Sequence, residues 1–510
     1  MRESDSTDKQ RRLAVAMIVR DAADVLDDTL DSVRGIADEI VVVDTGSTDA
    51  TLEIAREGAD IVAEIEWRDH FGAARNECLR HVTADWILWL DAGETLDETA
   101  AQQLRNFVDD AADPNKAYLL FIQRSAANAA NCSDQIGQLR LAPNRPELRF
   151  TGRVRERLMQ SVMDAKMGID ALDCVIQHGE LDRDPERQRA RARRRLNLAN
   201  LAITEDGEQA HLLLARGEAL AQLGRAKEAG LAYRRAIEVA ERGSSESLEA
   251  YYGLLTAMDA DPAAAEAQVA TCLEALEIFP LDAQLLCGMG SYLLRAQRLD
   301  LAARSYETAV KHGKIDPAIW HLADLADVAA TCWSLVLQLL GDKEQAETVL
   351  ENALAERPDS VRLRRQLIEL HVKAGRERDA LAQCKLLPDD MPYRNDMPAV
   401  VRGAALAAGK KSAAALGPLR GAYQAGCRDP LCLRWLAAAH LAVGNMTDVE
   451  LVAAEWERHE PGNLEIAAFR QAAQRRRVGP QSRRVDGPAR SGVPVDIGAI
   501  PSPSSTPAGT

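Results

Sequence analysis

The residues EIVVVDTGSTDAT, at positions 39–51, carry the clearest fold signal in the first part of the chain. Its apolar beginning, 39–44, does not alternate with polar residues, which is typical of a strand buried on both faces of a sheet. The residues TGSTD (45–49) form a turn with helix N-cap residues, and TLEIAREG (51–58) has helical spacing and ends at glycine. A strand that passes through a short polar turn into a helix is the unit of a parallel α/β sheet.

The same alternation of strand and helix continues on both sides of this unit. Because the intervals are short, we expect the first half of the sheet to be parallel and the second half to be mixed. The predicted strands are 13–19, 60–66, 85–94, 117–124, 135–143 and 148–154, and the predicted helices are 22–35, 71–82 and 100–110. The pattern therefore predicts an α/β domain with a Rossmann-like mixed sheet over residues 13–182.

A purely helical pattern replaces the strands beyond this domain. A basic linker helix is predicted over 183–205, and beyond it similar helix pairs recur. Glycines 341, 375, 409 and 444 follow one another at intervals of 34, 34 and 35 residues, and Gln297 stands at the equivalent place of another repeat. This period resembles that of tetratricopeptide repeats, so an all-α tetratricopeptide-like solenoid is expected over 206–472. Whether it binds a peptide or protein, or serves packing or dimerisation, stays open at this point.

Bulk composition excludes several classes of protein. The net charge of -16 and the pI of about 5.2 argue against nucleic-acid binding. The nine cysteines contain no CxxC pair, which favours reduced thiols over a zinc site. No run reaches the roughly 18–20 apolar residues of a membrane span, and the polar N-terminus does not resemble a signal peptide. We expect a soluble cytoplasmic protein with a disordered arm over 1–12 and a disordered tail over 473–510.

Acidic residues follow three of the predicted strands. Asp21 comes after the first strand, Asp44 ends the second, and Asp91 and Glu94 come at the end of the fourth. Since the carboxyl ends of parallel strands meet at one edge of a sheet, these acids are expected to converge there. Such a cluster suits a ligand that brings a divalent cation, or a ligand with many hydroxyl and ring N–H donors.

Four stretches in this region resemble family 2 glycosyltransferases of the GT-A fold. They are MIVRDA (17–22), EIVVVDTGSTDAT (39–51), FGAARNECL (71–79) and DWILWLDAGE (85–94), with weaker similarity to about residue 180. Together with the repeats, they resemble a bacterial subgroup that includes peptide S-glycosyltransferases. The resemblance implies transfer of a sugar from a nucleotide-sugar donor, UDP-linked by expectation, with inversion by single displacement. The acceptor, whether peptide, lipid or polysaccharide, does not carry over.

The resemblance implies a nucleotide-binding role for the residues that follow the first two strands. Asp44 is expected to accept a hydrogen bond from the base, and Gly46 and Ser47 are expected to let the backbone approach the nucleotide. Val19 and Asp21 are expected to lie beside them. For Asp44, Gly46 and Ser47, the alternative is ordinary turn and N-cap chemistry.

A second set of roles concerns the helix 71–82 and the strand after it. The resemblance places Arg75 and Asn76 near the nucleotide, where Arg75 would hold Asp91 or a phosphate; the alternative is a surface helix pair. Asp91 stands where the family carries a DxD motif that binds Mg²⁺ or Mn²⁺. Gly93 replaces the second acid of that motif, which puts the metal in doubt, and Glu94 is expected to point elsewhere on the strand.

Two later fragments echo the family with departures. Glu156 is the candidate general base that deprotonates the acceptor, although Arg155 replaces the histidine that usually precedes it. A surface ion pair of Glu156 with Arg153 or Arg157 is the alternative. His178, in VIQHGE (175–180), is a candidate metal ligand against a plain loop histidine.

The basic linker helix carries an arginine cluster that the resemblance does not explain. We expect a solvated, ion-paired helix face, with an anionic lipid surface or an acidic partner as the alternative. The cluster comprises Arg187, Arg189, Arg191, Arg193, Arg194 and Arg195.

Two other functions compete with the transferase. A degenerate domain that acts with the repeats as a non-catalytic binding scaffold is favoured by Gly93, by Arg155 and by Ala22, which replaces a family glutamate. A nucleotidyltransferase would show a glycine-rich phosphate loop near the first strand, and VRDAADV (19–25) contains no glycine. The sugar and the oligomeric state are not predicted.

Overall fold

A computed structural model describes residues 11–124, 134–179, 185–259, 261, 264–460 and 464–478. The predicted arm (1–12) and tail (473–510) lie for most of their length outside the described residues. Within them, an N-terminal domain with a central sheet is followed by stacked helices, which confirms the predicted fold class. No described helix combines the length and the apolar character of a membrane span.

One mixed sheet organises the N-terminal domain. Its order is β3-β2-β1-β4-β7-β6-β8-β5, and the first four strands in this order are mutually parallel, whereas β7 runs antiparallel to β4 and β6. The strands are β1 (Leu13–Val19), β2 (Glu39–Asp44), β3 (Ile61–Glu64), β4 (Trp86–Trp89), β5 (Glu94–Thr95), β6 (Lys116–Arg124), β7 (Asp134–Pro143) and β8 (Gly168–His178). The parallel half carries the carboxyl ends at which the sequence predicts a site.

Helices cover both faces of the sheet. They are α1 (Leu26–Val33), α2 (Thr51–Gly58), α3 (Phe71–Leu79), α4 (Glu98–Asp110) and α5 (Met159–Asp164). Val42 and Leu88 join Leu30 of α1 in one buried cluster, while Val43 and Cys78 of α3 belong to a second cluster. Successive strand residues thus serve opposite cores, which explains why these strands are continuously apolar.

The strand predicted over 148–154 is wrong. The segment contains a single bridge, Thr151 to Arg157, and otherwise has no strand partner among the described residues. Gly152 has a φ of 102° and Arg155 a φ of 49°, so the chain turns instead of extending. The residues between Thr151 and Arg157 therefore form a loop.

Antiparallel helix pairs form most of the described residues beyond the sheet domain. The helices are α6 (Pro185–Asp206), α7 (Ala210–Gln222), α8 (Ala226–Val239), α9 (Ser245–Met258), α10 (Ala265–Leu276), α11 (Ala283–Arg295), α12 (Leu299–His312), α13 (Leu325–Leu340), α14 (Lys343–Glu356), α15 (Val361–Lys373), α16 (Glu377–Cys384), α17 (Met397–Ala408), α18 (Ser412–Gln424), α19 (Pro430–Val443), α20 (Met446–His459) and α21 (Leu464–Val478). Consecutive helices contact one another along the stack, as expected of a solenoid.

The repeat period follows from the turn inside each helix pair. Gly341 ends α13 with a φ of 91°, and Gly444 ends α19 with a φ of 89°. Only glycine adopts this left-handed conformation without steric cost. Gln297, at the equivalent turn between α11 and α12, has a φ of 59°, so this repeat keeps the geometry without the glycine.

The solenoid returns to the sheet and extends it. Residues His321–Leu322 form β9, which pairs antiparallel with β7 at Gln135. Nearby, the amide of Gly137 donates to the carbonyl of Pro317 at 2.6 Å, and the Trp320 ring is buried in the core of the sheet domain. The sequence pattern indicated no strand beyond about residue 184, and this expectation is wrong because a two-residue strand leaves no periodic signal.

Candidate functional site

Two acidic residues mark the carboxyl edge of the parallel strands. Asp44 ends β2 and pairs in register with Val19 of β1, while Leu90, just before Asp91, donates its amide to Ala16 of β1 at 3.2 Å. The strands β2 and β4 flank β1, so their ends are separated by two strand spacings, roughly 10 Å. Asp44 and Asp91 therefore lie at the same edge of the sheet.

The Asp44 carboxylate is held by the turn that it begins. Its Oδ1 accepts from the amides of Gly46 at 2.8 Å and Ser47 at 2.9 Å, and its Oδ2 accepts from the Ser47 hydroxyl. Gly46 has a φ of 97°, which bends the chain tightly around the carboxylate. Val19 has its side chain in the core, and its carbonyl accepts from the Thr45 amide at 3.0 Å. These residues thus show the turn chemistry that the sequence left as the alternative.

The loops after β1 and β2 form one unit. Exposed Asp21, with a φ of 47°, accepts through Oδ1 from the Thr48 amide at 2.8 Å and donates its own amide to the Ser47 hydroxyl at 3.0 Å. The Ala23 amide donates to the Asp49 carboxylate at 3.2 Å. The predicted nucleotide-binding residues Val19, Asp21, Asp44, Gly46 and Ser47 are therefore brought together at one rim of the sheet edge.

A buried ionic cluster forms the other part of the edge. Arg75 contacts Asp91 at 3.0 Å and Glu156 at 2.5 Å. Arg140 contacts the other oxygen of Asp91 at 3.0 Å and Glu94 at 2.7 Å. No side chain in this set is more than 9% exposed, so three carboxylates and two guanidinium groups share a site largely removed from water. Of the two alternatives for Arg75, the structure shows the contact with Asp91.

Aromatic rings hold the Arg75 guanidinium in place. Its central carbon lies 4.5 Å from the Trp89 ring centroid and 5.4 Å from that of Phe150. Asn76 fixes the second ring, because its amide donates to the Phe150 carbonyl and accepts from the Phe150 amide, both at 2.8 Å. Asn76 thus fixes the backbone of Phe150, whose ring lies beside Arg75, and its polar atoms bond to that backbone and not to the residues at the sheet edge.

The expectation that Glu94 points away from Asp91 is wrong. Gly93 has a φ of 91°, and the Glu94 amide donates to the Asp91 carbonyl at 3.0 Å, so these residues form a turn instead of a continuing strand. Oε2 of Glu94 then accepts from the Asp91 amide at 2.9 Å. Arg140 was not among the predicted site residues, and its signal in the sequence is a lone arginine inside the apolar strand QIGQLRLAP.

Burial and charge shift the acidities of this cluster in opposite directions. Burial pushes the pKa of Asp91 upward, but the attraction of Arg75 and Arg140 outweighs it, so the pKa ends below its usual value. Burial raises the pKa of Glu94 to about 7, and the negative charge of Asp91 adds to the rise. Burial and the Arg124 cation lower the pKa of His178 to about 4, so the imidazole is neutral near pH 7.

The described residues do not fit the predicted Mg²⁺ or Mn²⁺ site. Both oxygens of Asp91 face guanidinium groups, and Glu94 is paired with Arg140 and with the Asp91 amide. The Nδ1 atom of His178 lies 3.8 Å from Glu94 and has no hydrogen-bond partner among the described residues. The same residues contain no group of three acidic, histidine or cysteine side chains suited to a metal.

Glu156 links the ionic cluster to the solenoid through its neighbours. Its carboxylate pairs with Arg75, not with Arg153 or Arg157 as the alternative expectation had it. Arg155, on the other side of the loop, contacts Glu218 of α7 at 3.4 Å and also pairs with Glu249 of α9. Its flanking arginines make further ion pairs, Arg153 with Glu205 and Arg157 with Glu246, both at 2.6 Å. The solenoid therefore anchors the loop that carries Glu156.

Comparison with protein families identifies both parts of the chain. Residues 14–125 match the model of Glycosyl transferase family 2, and residues 210–242 and 338–397 match tetratricopeptide repeat models. The chain thus carries a family 2 glycosyl transferase domain followed by tetratricopeptide repeats, as the sequence predicted.

Individual relatives match smaller parts of the chain. A TPR repeat-containing protein of Synechococcus elongatus is 34% identical over 227 residues, which are 43% of this chain and 54% of that protein. The SPbeta prophage-derived glycosyltransferase SunS of Bacillus subtilis is 37% identical over 65 residues, 12% of this chain and 15% of that protein. A tetratricopeptide repeat protein from Parabacteroides merdae, 15% identical, aligns with 52% of this chain and 98% of its own at a TM-score of 0.39. The chain spans about half the length of the first relative and far less of the second.

Proposed function

We propose that the chain is a glycosyltransferase that moves a sugar from a nucleotide-sugar donor, UDP-linked, to an acceptor by a single inverting displacement. The observation that carries the proposal is a family 2 glycosyl transferase domain with Asp44 and Asp91 at one edge of its sheet. Ligands of open α/β sheets bind at this edge, beyond the carboxyl ends of the strands.

In this proposal, the linked loops after β1 and β2 receive the nucleotide. The amides of Gly46 and Ser47 and the Ser47 hydroxyl hold the Asp44 carboxylate still, so that the remaining lone pair of its Oδ2 is oriented for a base N–H. Asp21 ties the same turn from the other side through Thr48 and keeps the rim rigid. A preformed rim binds a ligand at a lower entropic cost than a loop that must order.

The ionic cluster is the proposed place of the chemical step. Glu156, oriented by Arg75, is the proposed base that removes the acceptor proton. The acceptor then attacks the anomeric carbon, and the bond from that carbon to the diphosphate oxygen breaks, so that the nucleoside diphosphate leaves and the configuration inverts. Asp91 is a positioning residue, because it fixes Arg75 and Arg140 at the edge through contacts of 3.0 Å. No step requires a metal at Asp91.

The repeats nearest the glycosyl transferase domain pack against it. Helices α6, α7 and α9 supply the partners of Arg153, Arg155 and Arg157, and the segment around Trp320 enters the sheet core. We propose that the helices beyond this contact bind a peptide or protein, the role commonly taken by such stacks. A non-catalytic scaffold is the second candidate, favoured by the complete pairing of the Asp91 and Glu94 carboxylates.

A nucleotide-sugar hydrolysis screen separates the two functions. The full chain is incubated with UDP-, GDP-, CDP- and dTDP-sugars, and the released nucleoside diphosphate is measured. We expect turnover of a UDP-sugar that Asp91→Ala and the isosteric Asp91→Asn both abolish, whereas exposed Arg80→Ala leaves it unchanged. Equal activity of wild type and the Asp91 variants removes Asp91 from the mechanism. Complete indifference of the wild type to every donor supports the scaffold.

A further inference from the structure

Helix α6 lies across the sheet edge that carries the proposed donor site. Near its beginning, Arg187 contacts Asp24, in the loop after β1, at 3.3 Å. Two turns later, the guanidinium carbon of Arg194 lies 4.4 Å from the ring centroid of Trp67, which follows β3. The first half of α6 therefore lies beside the loops that follow β1 and β3, the two strands that flank β2 in the sheet.

Both contacts border the turn that begins at Asp44. The amide of Ile65, two residues before Trp67, donates to the Asp44 carbonyl at 2.9 Å. Asp24, the partner of Arg187, follows Ala23 in the sequence. The amide of Ala23 donates at 3.2 Å to the carboxylate of Asp49, which lies at the far end of the turn. The first half of α6 therefore spans the turn from one end to the other.

The helix turns part of its arginine cluster toward this edge. Arg187, Arg191 and Arg194 are spaced at i, i+4 and i+7, so they share one face of α6. Arg189 pairs with Glu186 on its own helix at 3.1 Å, and Arg193 is exposed and lines a surface pocket beside α7. The expectation of one solvated, ion-paired face thus applies to part of the cluster and fails for the half-buried Arg194 and Arg195.

Charge repulsion accompanies this packing. The pKa of Arg194 is lowered, first by burial and then by the nearby Arg20 cation, despite the opposing pull of Asp69 and Asp21. Arg20 directly follows Val19, the register partner of Asp44. The side chain of Arg20 lies at the same turn, because its Nε is 3.9 Å from the carboxylate of Asp21, which accepts from the Thr48 amide. Positive charges that repel one another are stabilised when an anion binds between them.

We propose that Arg194 and Arg20 bind the diphosphate of the nucleotide-sugar donor, a role that rests on the proposed function. The planar guanidinium suits two phosphate oxygens at once, and the Trp67 ring keeps that of Arg194 in one orientation. The two arginines supply positive charge beside the leaving group. They do so in a site whose carboxylates, at Asp91 and Glu94, are already paired with other arginines.

Calorimetric titration of the full chain with nucleotides tests the assignment. The ligands are UDP, GDP, CDP and dTDP, each compared with its own nucleoside, and the variants are Arg194→Gln, Arg20→Gln and the matched control Arg193→Gln. We expect Arg194→Gln and Arg20→Gln to weaken the diphosphate that the wild type binds by roughly 10-fold to 100-fold. Nucleoside affinity stays unchanged in all three variants, and Arg194→Lys recovers part of the loss because the charge remains.

Each other outcome contradicts the assignment. Equal diphosphate affinity in Arg194→Gln, Arg193→Gln and the wild type overturns it and leaves the proposed transferase standing. An equal loss for nucleoside and diphosphate also overturns it, since Arg194 then acts on the pocket through Trp67 and not on phosphate. A wild type that binds none of the diphosphates contradicts the proposed function itself. Binding to phosphatidylglycerol vesicles that Arg194→Gln abolishes, with UDP affinity unchanged, assigns the helix to a membrane surface instead.

Discussion

Replacing Arg140 by methionine tests the buried ionic cluster through its stability. One nitrogen of Arg140 lies 3.0 Å from Asp91 and 2.7 Å from Glu94, and the three side chains are at most 8% exposed. Methionine keeps much of the side-chain bulk and removes the charge. The variant therefore leaves Asp91 paired with Arg75 alone and leaves Glu94 without its guanidinium partner.

The expected loss of stability is large and depends on pH. Breaking a buried ion pair costs about 3–5 kcal/mol, which lowers the melting temperature of a domain of this size by roughly 6–20 °C. Burial has already raised the pKa of Glu94 from 4.5 to about 7, and Arg140 opposes that rise. A carboxyl whose pKa is raised by folding contributes stability that is lost as pH rises through the folded-state pKa. Without Arg140 this pKa rises further, so the loss continues above pH 7.

Thermal unfolding by circular dichroism at about pH 6 and about pH 8.5 measures the effect. We expect Arg140→Met to melt below the wild type at both values, with the larger difference at the higher pH. Arg80→Met, which removes an exposed arginine, is the control and melts like the wild type. Adding Glu94→Gln to Arg140→Met is expected to restore part of the loss, since the unpaired charge is gone. A difference that does not depend on pH, or a double variant that melts no higher than Arg140→Met, would show that Arg140 does not stabilise the Glu94 charge.

Three further predictions address the repeats, the domain contact and the metal. Gly253→Ala places a methyl carbon 2.4 Å from the buried Tyr233 ring, so thermal melting is expected to show that the free energy of unfolding falls by about 1–3 kcal/mol. The control Gly421→Ala has open space around it and is expected to stabilise its helix, and equal effects of the two variants contradict this packing. Arg155→Met removes an ion-pair partner of the buried Glu218, a carboxyl whose pKa is raised to about 7 by burial. We therefore expect faster amide hydrogen exchange over residues 148–158, and unchanged protection of these amides contradicts the anchoring role. Excess EDTA is expected to leave donor hydrolysis unchanged, and a loss restored by Mn²⁺ contradicts the arginine account.

Local signals were sufficient for the parallel half of the sheet. The predicted strands 13–19 and 39–44 and the helix 51–58 have the observed bounds, because apolar runs and turn residues are encoded within each segment. The shared edge of Asp44 and Asp91 follows from the same reasoning, since parallel strands end together. Sequence therefore predicted that Asp44 and Asp91 share one edge of the sheet, and the role of that edge stays a prediction.

The partners of the site residues could not be predicted in this way. Arg140 contacts Asp91 across 49 residues of sequence. This contact exists because the sheet order places β7 beside β4. Glu94 was misjudged because Gly93 converts an expected strand into a turn. The contact of Arg155 with Glu249 joins the sheet domain to α9 across 94 residues. Side-chain pairing over such distances leaves no periodic trace in the sequence.

The position of a bound nucleoside diphosphate, measured in a crystal structure of the full chain, decides between an arginine site and a metal site. We expect the base beside the turn that begins at Asp44, and the diphosphate between Arg20 and Arg194. A nucleotide bound away from the carboxyl edge of β1 and β2, or a metal ion that bridges the diphosphate to Asp91 in place of Arg75 and Arg140, would contradict this expectation.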